Sequence, residues 1–217
     1  MTTTAQYASV PKNGTAQVSA ANPNRDGTGA LVVVAHAGSG GLRVDGVVLK
    51  ATGTTTAGFV RFFITKGRPL GAIASITFTG TTAVMTFVND HGLSAGNLLT
   101  TSGNSPDEYN VSDAVVSIVG AKAISYVMAV APTANVTVLG SASATTATPT
   151  SRLLTEAPVA AVTPSASLAS YVLTLGTQNA SDKVFFPLVL QAGWTLRAST
   201  EKAETINILP VFMGDFS

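Results

Sequence analysis

The apolar residues of this chain come in short runs, and each run is soon stopped by Gly, Pro, Asn or Asp. Residues 42–50 (LRVDGVVLK), 58–65 (GFVRFFIT), 114–119 (AVVSIV), 170–175 (SYVLTL) and 206–212 (INILPVF) are rich in Val, Ile, Leu, Phe and Thr. Runs of this length and composition, bounded by turn formers, read as β-strands. The 20 glycines and 10 prolines recur too often for an amphipathic helix of three turns to form. Many short strands without helices bury their apolar faces by closing into a sandwich or a barrel. The expected fold class is all-β.

The runs fall into two groups. Large side chains expected in a core (Phe59, Phe62, Phe63, Phe185, Phe186, Trp194 and Phe212) lie before about residue 68 or after about residue 150. The middle has its own alternating segments at 75–78, 84–88, 114–119, 125–130 and 136–139, and a low-complexity linker, TTATPTS, at 145–151. Its two ends, 66–69 and 149–152, read as loop. With the middle removed, GFVRFFIT runs into RLLTEAPVAAV, two strands joined by a turn. Exposed loop tips tolerate insertions, so residues 1–70 and 149–217 are expected to form one β-sandwich, with 71–148 as a small inserted β-domain.

Composition narrows the partners. Only 11% of the 217 residues are charged while 46% are hydrophobic, against the roughly 25–35% charge that keeps a monomer's surface soluble. Much of the exterior is therefore expected to face other subunits. A net charge of +1 gives no electrostatic footprint for nucleic acid or for a membrane surface. Without cysteine there are no disulfides, thiolate metal sites or thiol nucleophiles. The N-terminal stretch lacks a secretory pattern, and no apolar run approaches the roughly 20 residues of a spanning helix.

Three stretches deserve a test for chemistry. NDHGLSAGNLLTTSG, residues 89–103, sets His91 beside Asp90 among glycines and hydroxyls. A base needs an orienting group and a nucleophile within reach, but neighbours on a strand point to opposite faces. The stretch reads as a turn: Gly92 supplies a positive φ, Leu93 anchors the loop, and Gly96-Asn97 leads into a strand at 98–102. Asn22–Gly27 (NPNRDG) has calcium-loop spacing, but the closing bidentate Glu is replaced by Val33; an Asp-Gly turn before strand 30–35 is expected instead. Residues 35–42 (AHAGSGGL) lack the Gly-Lys-Ser/Thr of a phosphate loop and any elbow around Ser39, and they lead into another strand; His36 reads as a strand-end residue. The eleven acids, Asp107-Glu108 and Glu201…Glu204 among them, select no convergent pair for glycan hydrolysis. No catalytic group, metal or cofactor is expected, and the sequons at Asn13, Asn110, Asn135 and Asn179 fit chance in a Ser/Thr-rich chain. Trp194, Tyr109 and Tyr126 remain as possible stacking faces for a glycan, with core or subunit-interface packing favoured for Trp194.

The flanking segments resemble a family of tailed-bacteriophage virion proteins. The likeness is carried by residues 24–29 (NRDGTG), 43–64 (RVDGVVLKATGTTTAGFVRFFI), 152–156 (RLLTE), 193–200 (GWTLRAST) and 213–216 (MGDF). The family consists of capsid decoration (cement) proteins with a jelly-roll-like β-sandwich. The inserted segment is similar to small β-modules of phage appendages through HGLSAGNLLTTSG, then Glu108-Tyr109-Asn110 and Tyr126, with Asn97 where Asp is common and Val111 where Gly is. A barrel-like inserted domain follows from that likeness. The resemblance implies a structural virion protein, made in the cytoplasm of the host bacterium, that binds the major capsid protein on the outer capsid surface. It further implies a homo-oligomer, with a trimer favoured and a dimer left open, and Trp194, Arg197, Phe216, Tyr109 and Tyr126 are the candidate interface or surface contacts. The alternative is an appendage protein that binds host-surface carbohydrate or a receptor.

Overall fold

The computed structural model describes residues 10–12, 14–38, 40–146, 150–165, 169–175 and 186–216. The chain divides into two compact units, one of residues 1–65 and 150–217 and the other of residues 66–149. In chain order the first unit opens with β1 (Val10–Lys12), β2 (Ala16–Val18), β3 (Val32–His36), β4 (Leu42–Ala51) and β5 (Gly58–Thr65). The second contains β6 (Arg68–Pro69), β7 (Ile73–Thr79), β8 (Thr82–Phe87), β9 (Leu98–Ser102), a 3-10 turn (Asp107–Tyr109), β10 (Ala114–Val115), β11 (Ser117–Gly120), β12 (Ala123–Val127) and β13 (Ser141–Thr145). The chain returns to the first unit as β14 (Ser151–Val159), β15 (Val172–Leu175), β16 (Leu188–Leu190), β17 (Thr195–Thr200) and β18 (Ile206–Asp215).

The first unit is an antiparallel sandwich. One sheet runs β2-β18-β4-β15, with β1 and β16 as short additions on β18 and β4, and the other runs β14-β5-β17-β3. The pairing is nested: β2 joins β18 and β3 joins β17, while β4 and β5 lie on the inner sides of those late strands. Two Greek keys wound this way make a jelly roll. Alternation places Val18, Leu49, Ile206 and Ile208 of one sheet against Val60, Phe62, Leu196 and Ala198 of the other, in a core that Phe186 and Trp194 partly cover. Phe62 is fully buried there.

Between β5 and β14 the chain leaves and re-enters the sandwich at one rung, with Thr65 opposite Ser151 and their hydroxyls 2.6 Å apart. Residues 149–152 are thus not all loop, because β14 begins at Ser151. Residues 66–69 are not all loop either: Arg68 and Pro69 pair with Ala144 and Ser143, which moves the boundary back to residue 66.

The second unit has two four-stranded sheets, β10-β9-β13-β6 and β11-β12-β8-β7. The consecutive strands β6 and β7 supply an edge to each sheet, and so do β10 and β11. The hydrogen bonds Gly96 N–H to Val116 O and Val116 N–H to Asn97 O, both 2.9 Å, bridge the second junction, giving a small barrel-like unit around Met85, Phe87, Leu99, Tyr109, Ile124 and Tyr126. Two expectations fail here. Residues 136–139 form no strand, only a bridge between Val138 and Ser105. The run 114–119 is split at Val116, whose buried side chain turns inward where the segment passes between sheets.

Phe59 was expected in the core but points outward on β5, 37% exposed, with the Arg61 guanidinium 5.9 Å from its ring centre. Phe185, Ser39, the linker residues 147–149 and the sequons at Asn13 and Asn179 lie outside the described residues, as does the Phe212 side chain. Two outcomes test this architecture. Phe62→Ala should cost about 3–5 kcal/mol in chemical denaturation. Replacing residues 66–150 with Asn-Gly, a two-residue hairpin turn, should leave a sandwich that melts cooperatively with its β-type circular dichroism intact.

Candidate functional site

The segment 88–97 leaves β8 and turns through Gly92 (φ +58°) and Gly96 (φ +85°), conformations that suit glycine. His91 is 4% exposed. The Leu93 N–H donates to its Nδ1 at 2.9 Å, so the proton sits on Nε2, which donates to the Gly120 carbonyl at 2.8 Å. Its ring lies tilted 5.9 Å from Phe87, and Arg68 Nη2 donates to its carbonyl at 2.8 Å. Asp90 is exposed. Both ring nitrogens are committed to the backbone, so the imidazole ties this loop to the β11–β12 turn. Asn97 completes the turn by accepting the Ser94 N–H at 3.0 Å.

The two tyrosines proposed as surface contacts are core residues. Tyr109 is 0% and Tyr126 1% exposed. The Tyr109 hydroxyl donates to Ala134 O at 2.9 Å and its ring meets Phe78 edge-on at 5.9 Å. The Tyr126 hydroxyl donates to the Tyr109 carbonyl at 3.2 Å, and burial pushes its ionisation upward. Neither ring offers a stacking face. The same unit carries an open cleft of about 600 Å³ lined by Asp107, Glu108, Asn110, Val127 and Val130 among others, with no aromatic ring in its wall. Asp107 accepts from Asn110 Nδ2 at 3.3 Å and Glu108 from the Thr133 hydroxyl at 3.1 Å.

The remaining contact candidates belong to the sandwich. Trp194 packs against its core. Arg197 lies on β17 across from Phe63 and Val33 and is only 4% exposed, so it is an interior cation and not a surface contact. Phe216 is partly buried, and its N–H donates to Gly41 O at 3.1 Å. His36 is 8% exposed with Nδ1 3.1 Å from the Thr195 hydroxyl.

Asn22–Gly27 holds itself together. Asn22 is 2% exposed; its Nδ2 donates to Thr28 O at 2.8 Å and Ala30 O at 3.0 Å, and its Oδ1 accepts the Asn24 N–H. Asp26 Oδ1 accepts from the N–H and hydroxyl of Thr28, which lowers the Asp26 pKa. Gly27 has φ +82°, and a Cβ there would run into the Ser151 carbonyl. Below the loop lies an ionic lock absent from the sequence expectations. Arg61, 2% exposed, reaches Glu156 at 2.6 Å and Glu201 at 3.3 Å, and Arg25 reaches Glu156 at 2.9 Å. An Arg in the middle of GFVRFFIT was the available signal, because a buried cation requires partners. The bond from Arg25, with a further bond from Arg61, holds the Glu156 carboxyl below its ordinary pKa against the opposing effect of burial.

Among the described residues, no group of three or more His, Cys, Asp or Glu is arranged to hold a metal ion, and no helix is long and apolar enough to cross a membrane. Comparison with protein-family models, with curated proteins and with solved structures finds no match.

His91→Ala strands the Leu93 N–H and the Gly120 carbonyl and should cost the second unit about 1–3 kcal/mol, read from the urea midpoint. The Glu156 carboxylate, with its folded pKa depressed, contributes stability above its unfolded value of about 4.3, and that contribution disappears as pH falls through the lower folded value. Glu156→Gln should therefore lose about 1–2 kcal/mol at neutral pH, and the gap to the parent should close in strong acid, measured by urea titration at both pH values.

Proposed function

We propose that the chain is a structural virion protein that binds the outside of a tailed-phage capsid and stiffens the shell by bridging capsid subunits. One observation carries the reading. The segments that resemble phage decoration proteins, 43–64 and 193–200 above all, coincide with β4, β5 and β17, framework strands of the jelly roll, which the second unit interrupts at the β5–β14 hairpin. A ligand that binds the assembled shell and not its dissociated subunits stabilises the shell by mass action. Repetition over the lattice adds avidity. The scarcity of charge suits a protein whose exterior is covered by neighbouring copies and by capsid.

A second reading, an appendage that binds host-surface carbohydrate, draws support from the cleft at Asp107–Asn110, whose carboxylates and amide suit sugar hydroxyls. It loses support from the burial of Tyr109 and Tyr126, since sugar recognition gains much from exposed rings. Cryo-electron microscopy of the particle that carries this chain distinguishes the two: the expected density is an ordered array outside the head, at lattice copy number. Density confined to the tail overturns the decoration reading.

A further inference from the structure

The open cleft of the second unit has two unlike walls. One is the 3-10 turn Asp107–Tyr109. Burial of Tyr109 pins this turn from inside, and Asp107 and Glu108 line the cleft. The other wall is the end of β12 and the residues after it. Tyr126 and Met128 belong to the barrel-like core, so alternation turns Val127 outward. Val127 is 63% exposed and Val130 beyond it 57%. Val111 adds a third aliphatic side chain to the lining, and none of the lining residues is Lys or Arg. Arg68 and Lys122 of the same unit are engaged elsewhere, on the carbonyls of His91 and Val88. The two carboxylates have neutral partners, the Asn110 amide for Asp107 and the Thr133 hydroxyl for Glu108. Among the described residues neither forms a salt bridge.

We propose that this cleft takes a Lys or Arg side chain of a partner protein, presented between aliphatic residues on an extended segment. Three observations select that occupant. The first is the sense of the hydrogen bonding. Asn110 Oδ1 accepts from the N–H and the Nδ2 of Asn104, both at 3.0 Å, while its Nδ2 donates to Asn104 O at 3.0 Å and to Asp107 Oδ1 at 3.3 Å. A side-chain amide has two donors and two acceptor sites, so Asn110, whose chemistry would suit a sugar hydroxyl, is already fully engaged. The carboxylates accept hydrogen bonds and donate none, which calls for a donor, and a phosphate or carboxylate would meet like charge. The second is the apolar wall. A long cationic side chain lays its methylene stem on apolar surface and keeps its charged end in a polar setting. Valines across from carboxylates meet both needs. The third is the shape. A small-molecule site encloses most of its ligand, whereas an open cleft of about 600 Å³ suits side chains whose backbone stays outside.

This inference concerns the second unit alone and does not rest on the decoration reading, so the two fail separately. It is tested on the full chain with its valine methyl groups labelled for NMR. The probe is the peptide acetyl-Gly-Val-Lys-Val-Lys-Val-Gly-amide, titrated to millimolar concentration at low salt beside a twin with Glu in place of both Lys. The Lys peptide should move the Val111, Val127 and Val130 signals saturably and leave those of Val44, Val47 and Val60 in the sandwich core in place. The twin should bind about tenfold more weakly or worse, because it sets like charges together. Asp107→Lys combined with Glu108→Lys should reverse that preference, an outcome that misfolding does not produce. Val127→Lys, a change at an exposed position that keeps the test open should the double variant not fold, should weaken the Lys peptide by about tenfold. The proposal is overturned by a Lys peptide that moves none of these signals, by a twin that binds equally, or by a preference indifferent to these substitutions. It is overturned too if the neutral oligosaccharide N-acetylchitohexaose moves the same signals and the peptide does not.

Discussion

The sandwich depends on the rung that joins Thr65 to Ser151. These residues are 86 apart in the chain, yet their hydroxyls meet at 2.6 Å and their strands pair without interruption from there to Leu153 and Phe63. Without β14 beside β5, one sheet loses its edge strand and the ionic lock loses Glu156. Loop-closure entropy rises only logarithmically with length, so a long intervening segment is tolerable. It becomes easier still when that segment has a core of its own, because a folded insert holds its own ends instead of sampling a large coil.

The same rung anchors the polar side of the sandwich. Gly27 backs onto Ser151, Asn22 accepts a hydrogen bond from Arg61 through its carbonyl at 3.4 Å, and Arg25 and Arg61 share Glu156. Burying Arg61 carries a desolvation cost that Glu156, Glu201 and the Asn22 carbonyl together offset. The lock also fixes the 22–30 loop over this sheet, which explains why a loop with calcium-like spacing binds its own backbone. Its oxygens are already engaged by Thr28 and Asn24.

Much of this fold was legible because strand periodicity and turn residues are local properties. LRVDGVVLK and GFVRFFIT became β4 and β5, and NDHGLSAGNLLTTSG became a turn followed by β9. The insertion was legible because removing it left two strands that wanted to pair. What failed was whatever depended on neighbours. Val136–Leu139 has strand composition, but its one bridge among the described residues joins Val138 to Ser105, so the composition finds no ladder. Phe59 and Phe63 look alike in sequence, yet one is 37% exposed and the other fully buried, since the outward face of β5 is covered at one end only. Tyr109 and Tyr126 look like contact residues until Ala134 and the Tyr109 carbonyl satisfy their hydroxyls inside the barrel-like unit. His91 has the composition of a site and the hydrogen bonds of a clasp.

Charge economy connects these features. The chain has 12 Lys and Arg and 11 Asp and Glu, and it commits Arg25, Arg61, Glu156 and Glu201 to holding one loop. Arg68 is drawn to the His91 carbonyl, and Lys122 Nζ donates to Val88 O at 3.0 Å. Cations used this way do not keep copies apart in solution. Wherever copies are held near one another, effective concentration then makes even a weak pairwise contact count.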